Sequence, residues 1–218
     1  MDLSQLKESV DLARLKGDVA GTVAKAVSYA NACQQVRKYD SAIACLNKSL
    51  PDIEKDKGQH AVVRVALGVA FWEKSQLKKA LSHFEEALPL FEKDKAGKAA
   101  ILSIVGITFW RKCEWDKALE ILKDALDQKE GKAEKDARFE SLYGAFDRGI
   151  VTLQNRIRLG RELQKPMKIL QPLFSLTALY LITGNREELK SCLDESVTLA
   201  TQLNQEDILK AAERIKQL

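Results

Sequence analysis

A small residue returns four times at a constant interval of 38: Ala30, Gly68, Gly106 and Gly144. Its neighbours return with it. Tyr29, Leu67, Val105 and Tyr143 precede it, and Cys33, Phe71 and Phe109 follow three residues after it. Tyr39, Leu77 and Trp115 recur next, then Ala42, Ala80 and Ala118, then Leu46, Phe84 and Leu122. The run Leu50-Pro51 ahead of Glu54-Lys55-Asp56-Lys57 comes back as Leu88-Pro89 ahead of Glu92-Lys93-Asp94-Lys95. Self-similarity at such a period describes stacked units, none of which buries a core until a neighbour covers it. Arrays of this kind present a surface to a partner rather than a catalytic cleft.

Each unit reads as two helices. Ala26, Tyr29, Ala30 and Cys33 follow the three-and-four spacing of a helix, as do Val63, Leu67, Gly68 and Phe71, and Leu102, Val105, Gly106 and Phe109. One slot breaks the pattern, with Arg64 where Ala26 and Leu102 stand in the flanking units. After a polar break, second amphipathic stretches run from Tyr39 to Lys55, Leu77 to Lys95, and Trp115 to about Lys129. The small residue of the first helix and Ala42, Ala80 or Ala118 of the second mark a close crossing, because bulk at either slot would force the axes apart. Pro51 and Pro89 predict a kink or an early stop in the second helices.

Beyond residue 130 the pattern loosens. Phe139, Leu142, Phe146, Ile150, Leu153 and Ile157 form one helical stripe, compatible with a single long helix to about Gln164 or with a hairpin turning at Asp147-Arg148-Gly149. A final helix pair is legible in Leu176, Tyr180, Gly184-Asn185, Leu189, Leu193 and Val197, with Thr177 in the small slot and Leu189 in the alanine slot. Both are bulkier than their counterparts, so looser packing or a different crossing angle is expected. Residues 202–218 and 1–22 suit helices that cap the two ends.

The order Leu67, Gly68, Phe71, Leu77, Ala80, Phe84, Ala87 and its successor Val105, Gly106, Phe109, Trp115, Ala118, Leu122, Ala125 resembles the tetratricopeptide repeat. The likeness is strongest over residues 23–127 and looser in the first unit. Four residues beyond the family's usual length amount to about one helical turn, as in its kinesin-light-chain-like variants. The resemblance implies an all-α, right-handed superhelical solenoid of helix hairpins and a single domain over 1–218. Its division runs as a cap over 1–22, repeats over 23–60, 61–98 and 99–130, a divergent unit over 131–165, a repeat-like pair over 166–201, and a cap over 202–218.

The resemblance also implies a concave wall on the first-helix face turned away from the second helix. That face holds Asn31 and Gln34, then Val65, Val69 and Trp72, then Ser103, Ile107, Trp110 and Arg111, and onward Arg148. Trp72 and Trp110 occupy equivalent places and are of the type that dominates binding hot spots. The same apolar pattern also describes tryptophans packed along the neighbouring helix or covered by a terminal one. Of the family's clamp for chaperone tails only Asn31 matches, since Val27 and Ala66 stand where lysine and asparagine are needed. The partner expected is therefore another protein, offering an apolar or acidic peptide or helix. The rival reading is a nucleic-acid groove lined by Arg111, Arg138, Arg148, Arg156, Arg158 and Arg161, although the first two repeats add no arginine to it.

Composition agrees with an interaction scaffold. Charged residues make up 30% of the chain, with both signs interspersed and a net charge of +4, too mild for a dedicated nucleic-acid binder. The cysteines Cys33, Cys45, Cys113 and Cys192 lie far apart with no Cys-x-x-Cys pair, so reduced thiols in a cytoplasmic protein are expected. His60, in a polar linker, and His83, facing outward, lack a partner at metal-ligand spacing. Neither metal, cofactor nor catalytic activity is expected. The amphipathic, acidic start carries no secretory signal, and the uncharged stretch Ile169–Asn185 reads as a buried helix rather than a membrane span.

Overall fold

The computed structural model describes residues 2–128 and 136–218. Among the described residues all regular structure is helical: α1 (Leu3–Leu15), α2 (Val19–Gln35), α3 (Tyr39–Ser49), α4 (Lys57–Glu73), α5 (Leu77–Ala87), α6 (Lys95–Arg111), α7 (Trp115–Asp127), α8 (Glu140–Glu162), α9 (Pro166–Thr183), α10 (Arg186–Gln202) and α11 (Glu206–Ile215). Tight 3-10 turns at Pro51–Ile53 and Leu88–Phe91 follow α3 and α5. The second helices therefore begin where the sequence places them and end earlier. Proline at 51 cannot supply the N–H that would continue α3, and Pro89 does the same beyond α5. The expected end of the third repeat and start of the divergent unit, at 130 and 131, lie outside the described residues. The stripe from Leu142 to Ile157 lies in one helix, α8, with Phe139 in the 3-10 turn just before it.

The repeated tail has a defined job. Asp56 accepts a hydrogen bond from the Gln59 N–H at 3.0 Å, and Asp94 accepts from Gly97 N–H at 3.0 Å. Asp18 accepts from Gly21 N–H at 2.9 Å, so three aspartates 38 residues apart cap α2, α4 and α6. These caps start α4 at Lys57 and α6 at Lys95, ahead of the boundaries drawn at 61 and 99.

The first helices stop by a common device. Arg37, Ser75 and Cys113, again 38 apart, take left-handed φ values of 59°, 63° and 60°. The next residue's N–H then reaches back five positions: Lys38 to the Cys33 carbonyl, Gln76 to Phe71 and Glu114 to Phe109. Glycine is the usual occupant of such a site and is absent from all three.

Contacts gather the chain into two compact units: one runs to Ile101 and takes in the segment ending at Ala145, and the other holds Leu102–Gln128 and Phe146–Leu218. In the first, α1 packs on α2, α2 on α3 and α4, and α4 on α5. A Cβ built on Gly68 would stand 2.4 Å from Phe84 Cε1, so the glycine is what lets α5 press its aromatic ring against α4. Ala30, Ala42, Leu46 and Ala80 are fully buried at the equivalent crossings. The irregular Arg64 earns an explanation here, since it reaches Glu86 Oε2 at 2.9 Å and His83 Nδ1 at 3.3 Å on α5.

In the second unit, a Cβ on Gly106 would meet Leu122 Cδ2 at 2.6 Å and the Ala118 carbonyl oxygen at 3.4 Å, the same close crossing between α6 and α7. α9 packs on α10, and α11 on α10 and α7. Ile157, Ile169, Leu173, Leu176 and Tyr180 form a core between α8 and α9. Thr177, in the small slot, is buried and satisfies its hydroxyl on the Phe174 carbonyl at 2.6 Å. The uncharged stretch after Ile169 is mostly buried within α9, and no described helix is long and apolar enough to cross a membrane.

Candidate interaction surface

Asn31 and Gln34 lie one turn apart on α2, 9% and 1% exposed. None of their four amide atoms has a hydrogen-bond partner among the described residues. An unsatisfied buried amide costs about 1–3 kcal/mol, so two on one face are an expensive feature. Neighbouring Thr22 shows the ordinary solution, donating to the Asp18 carbonyl at 2.6 Å.

The apolar residues expected on the same wall are packed. Val65, Val69 and Trp72 on α4 are 5% exposed or less. Ser103, Ile107 and Trp110 on α6 are equally buried. The Trp110 ring lies 4.8 Å from Phe174 of α9, and Trp115 meets the same phenylalanine edge-on at 5.8 Å. The expected open strip of two tryptophans is thus a pair of core side chains. A buried face and a ligand face share one apolar pattern in sequence, and here packing claims the residues. Of the remaining wall positions, Arg148 is half-buried on α8 and Arg111 is exposed at the end of α6. Although the residue as a whole is exposed, desolvation of its charged group by the surrounding protein, and after it the nearby charge of Arg156, lower the pKa of Arg111.

The histidines also sit differently from expectation. His60 belongs to the first turn of α4 rather than a linker. His83 is half-buried, its ring stacked on Phe71 at 5.3 Å and 8°. Burial first, then the charge of Arg64, lower its pKa. Cys33 is buried, Cys45 and Cys192 half-buried, and Cys113 exposed. Burial pushes the Cys45 and Cys192 thiols up to about 11, which keeps them protonated and unreactive at neutral pH. Among the described residues no group of three His, Cys, Asp or Glu is placed to hold a metal.

Two further pairings repeat without having been read from the sequence. Lys79 lies 5.4 Å over Phe71, and Lys117, 38 residues on, lies 4.0 Å over Phe109. The signal was available, since both members recur at the common interval. Over this stretch, residues 22–93 match the family described as tetratricopeptide repeat. Such repeats generally serve as non-catalytic scaffolds that mediate protein–protein interactions.

A solved structure carries the same fold over most of the chain. BtubC (BKLC) from P. vanneervenii is 18% identical with a TM-score of 0.54, covering 93% of this chain and 91% of that one. Two forms of a Podosopora anserina chain of nearly identical TPR-like repeats, described as kinesin light chain, score 0.45 and 0.46. They are 15% and 14% identical, covering 82% and 83% of this chain and 94% and 95% of theirs. No curated protein matches the sequence.

Proposed function

We propose that this chain is a cytoplasmic, non-catalytic adaptor whose tetratricopeptide repeats hold a peptide or helix of a partner protein. The observation that carries the reading is the pair Asn31 and Gln34, two buried amides on the first repeat's first helix without a hydrogen-bond partner among the described residues. Amides in that state are retained against their cost when something outside the fold rewards them. Extended peptides supply what they lack, because every residue of a strand offers an N–H and a carbonyl. Engagement requires the two side chains to turn toward the partner, and no other hydrogen bond must break for them to do so. Val65, Val69 and Trp72 then act as the packed support behind α4 rather than as anchors in a groove.

The nucleic-acid alternative is weaker. Arg138 is bound to Asp136 and to Asp94 at 2.7 Å, Arg161 chelates Glu195 at 2.7 and 2.8 Å, and Arg158 faces Glu162 at 3.9 Å. Half of the proposed basic line is thereby neutralised.

Asn31→Leu and Gln34→Leu test the reading. Each is expected to raise the melting temperature, since the unsatisfied amide is removed at nearly constant volume. Each is also expected to reduce, by tenfold or more, the partner captured from the native host and quantified by mass spectrometry. Lower melting temperatures in both variants would show that the amides stabilise the fold, and unchanged capture would remove them from the site.

A further inference from the structure

The corner where α8 gives way to α9, within the second unit, combines three features that the repeat array does not need. The first is charge. The thirteen residues from Arg156 to Lys168 hold five Lys or Arg against one Glu, an excess of four that equals the net charge of the entire chain. Arg158 and Arg161 are neutralised by Glu162 and Glu195. Among the described residues Arg156 and Lys168 have no carboxylate within ion-pairing distance, and α9 contains no acidic residue at all. Arg156 instead has Arg111 as its charged neighbour.

The second feature is exposed apolar surface. Leu159, on the last turn of α8, is 53% exposed, Leu163, in the turn that follows, 46%, and Met167, on the first turn of α9, 44%. Side chains of this size spaced singly are ordinary on a surface, but a contiguous group marks contact with something else. The third is shape. A shallow cavity of about 390 Å³ is lined by Arg156, Leu159, Met167, Lys168, Gln171 and Pro172. Its floor exists because residue 160 is glycine: a Cβ there would lie 2.9 Å from Ile169 and 3.1 Å from the Lys168 backbone.

We propose that this corner docks an acidic, amphipathic segment of a protein partner, with carboxylates set against Arg156 and Lys168 and apolar side chains seated on Leu159, Met167 and Pro172. Charge selects the occupant. Two unpaired cations around an apolar floor repel a basic peptide and leave a purely apolar one without compensation for desolvating them. Lys168 also lies in the first turn of an 18-residue helix, where the backbone dipole adds further positive potential. The site is separate from Asn31 and Gln34 and stands or falls independently of them.

The experiment uses the full chain and a fluorescent synthetic helix of alternating Leu and Glu faces, followed by polarisation. A matching helix with Gln for every Glu and a single-stranded oligonucleotide serve as comparison probes. The wild type is expected to bind the acidic helix saturably, the Gln helix at least tenfold more weakly, and the oligonucleotide weakly. Arg156→Glu with Lys168→Glu should weaken the acidic helix by at least tenfold while leaving the melting temperature unchanged, because both side chains are exposed. Leu159→Gln should weaken it severalfold with the salt dependence retained, and Asn31→Leu should leave it untouched. Failure of the wild type to saturate with the acidic helix overturns the proposal. So does wild-type affinity in the charge-reversed or Leu159→Gln variant, or tighter, steeply salt-dependent binding of the oligonucleotide.

Discussion

His83 illustrates how one side chain couples to conditions. Its ring is stacked on Phe71, and the groups around it are Arg64 and Glu86. Burial, then the Arg64 charge, lower its pKa from the ordinary 6.5. The folded protein therefore takes up the imidazole proton less readily than the unfolded chain does. Stability tied to the neutral ring is complete above 6.5 and drains as pH falls from there through the lowered folded value, below which both states are protonated. Carboxylates titrate below the same range, so the comparison with a variant isolates the histidine. We expect melting temperature to fall more steeply from about pH 7 to about pH 5 in the wild type than in His83→Gln. Parallel curves would show that protonation of the His83 ring is not coupled to folding.

The elements are punctuated by caps, and the caps explain what was legible. Helix starts at Tyr39, Leu77 and Trp115 could be read because large apolar residues recur at the packing slots. The first helices' ends could be placed by their polar breaks, but not the left-handed turn that makes them, because Arg37, Ser75 and Cys113 are of types that do not announce such a conformation. A non-glycine residue there costs about 1–2 kcal/mol relative to an unstrained backbone. Part of that is recovered by glycine, whose unfolded chain is more flexible. Cys113→Gly and Ser75→Gly are accordingly expected to gain about 0.5–1 kcal/mol each, read as a shift in the denaturant midpoint at constant slope. Destabilisation of both would mean that their side chains contribute more than the strain they cause. The recurring aspartates were visible as a repeated tail, but their capping role depends on where the preceding 3-10 turn ends, which Pro51 and Pro89 decide.

For the molecule as a whole, the repeat order and helical class were legible, and the burial of the wall's apolar residues was not. Trp72 and Trp110 fit a groove as well as a core by pattern alone, and the decisive neighbour, Phe174, lies 64 residues beyond Trp110 in a unit that has lost the repeat signature. Phe174 touches Trp110 and Trp115 together, so it ties α9 to α6 and α7. Phe174→Ala should cost about 3–5 kcal/mol. The loss should fall on the second unit, visible as an earlier transition in tryptophan fluorescence than in the protection of α2 and α4 amides. Coincident transitions would show that the two units unfold together.

The tie between α7 and α11, made by the ion pair of Arg214 with Asp116 and by packing beside Leu119, has a consequence during synthesis. Helices α1 to α5 find their partners within a few dozen residues of one another. Asp127 ends α7, but Glu206 begins α11 nearly 80 residues later, which at cellular elongation rates is a delay of about 4–16 s. Through that interval the outer face of α7 leaves the ribosome bare, and Trp110 and Trp115 wait about as long for Phe174. The rear of the nascent chain is thus apolar and unfinished until α9 and α11 are made. That interval is when a holding chaperone has most to offer this protein, and when a premature stop would be most costly.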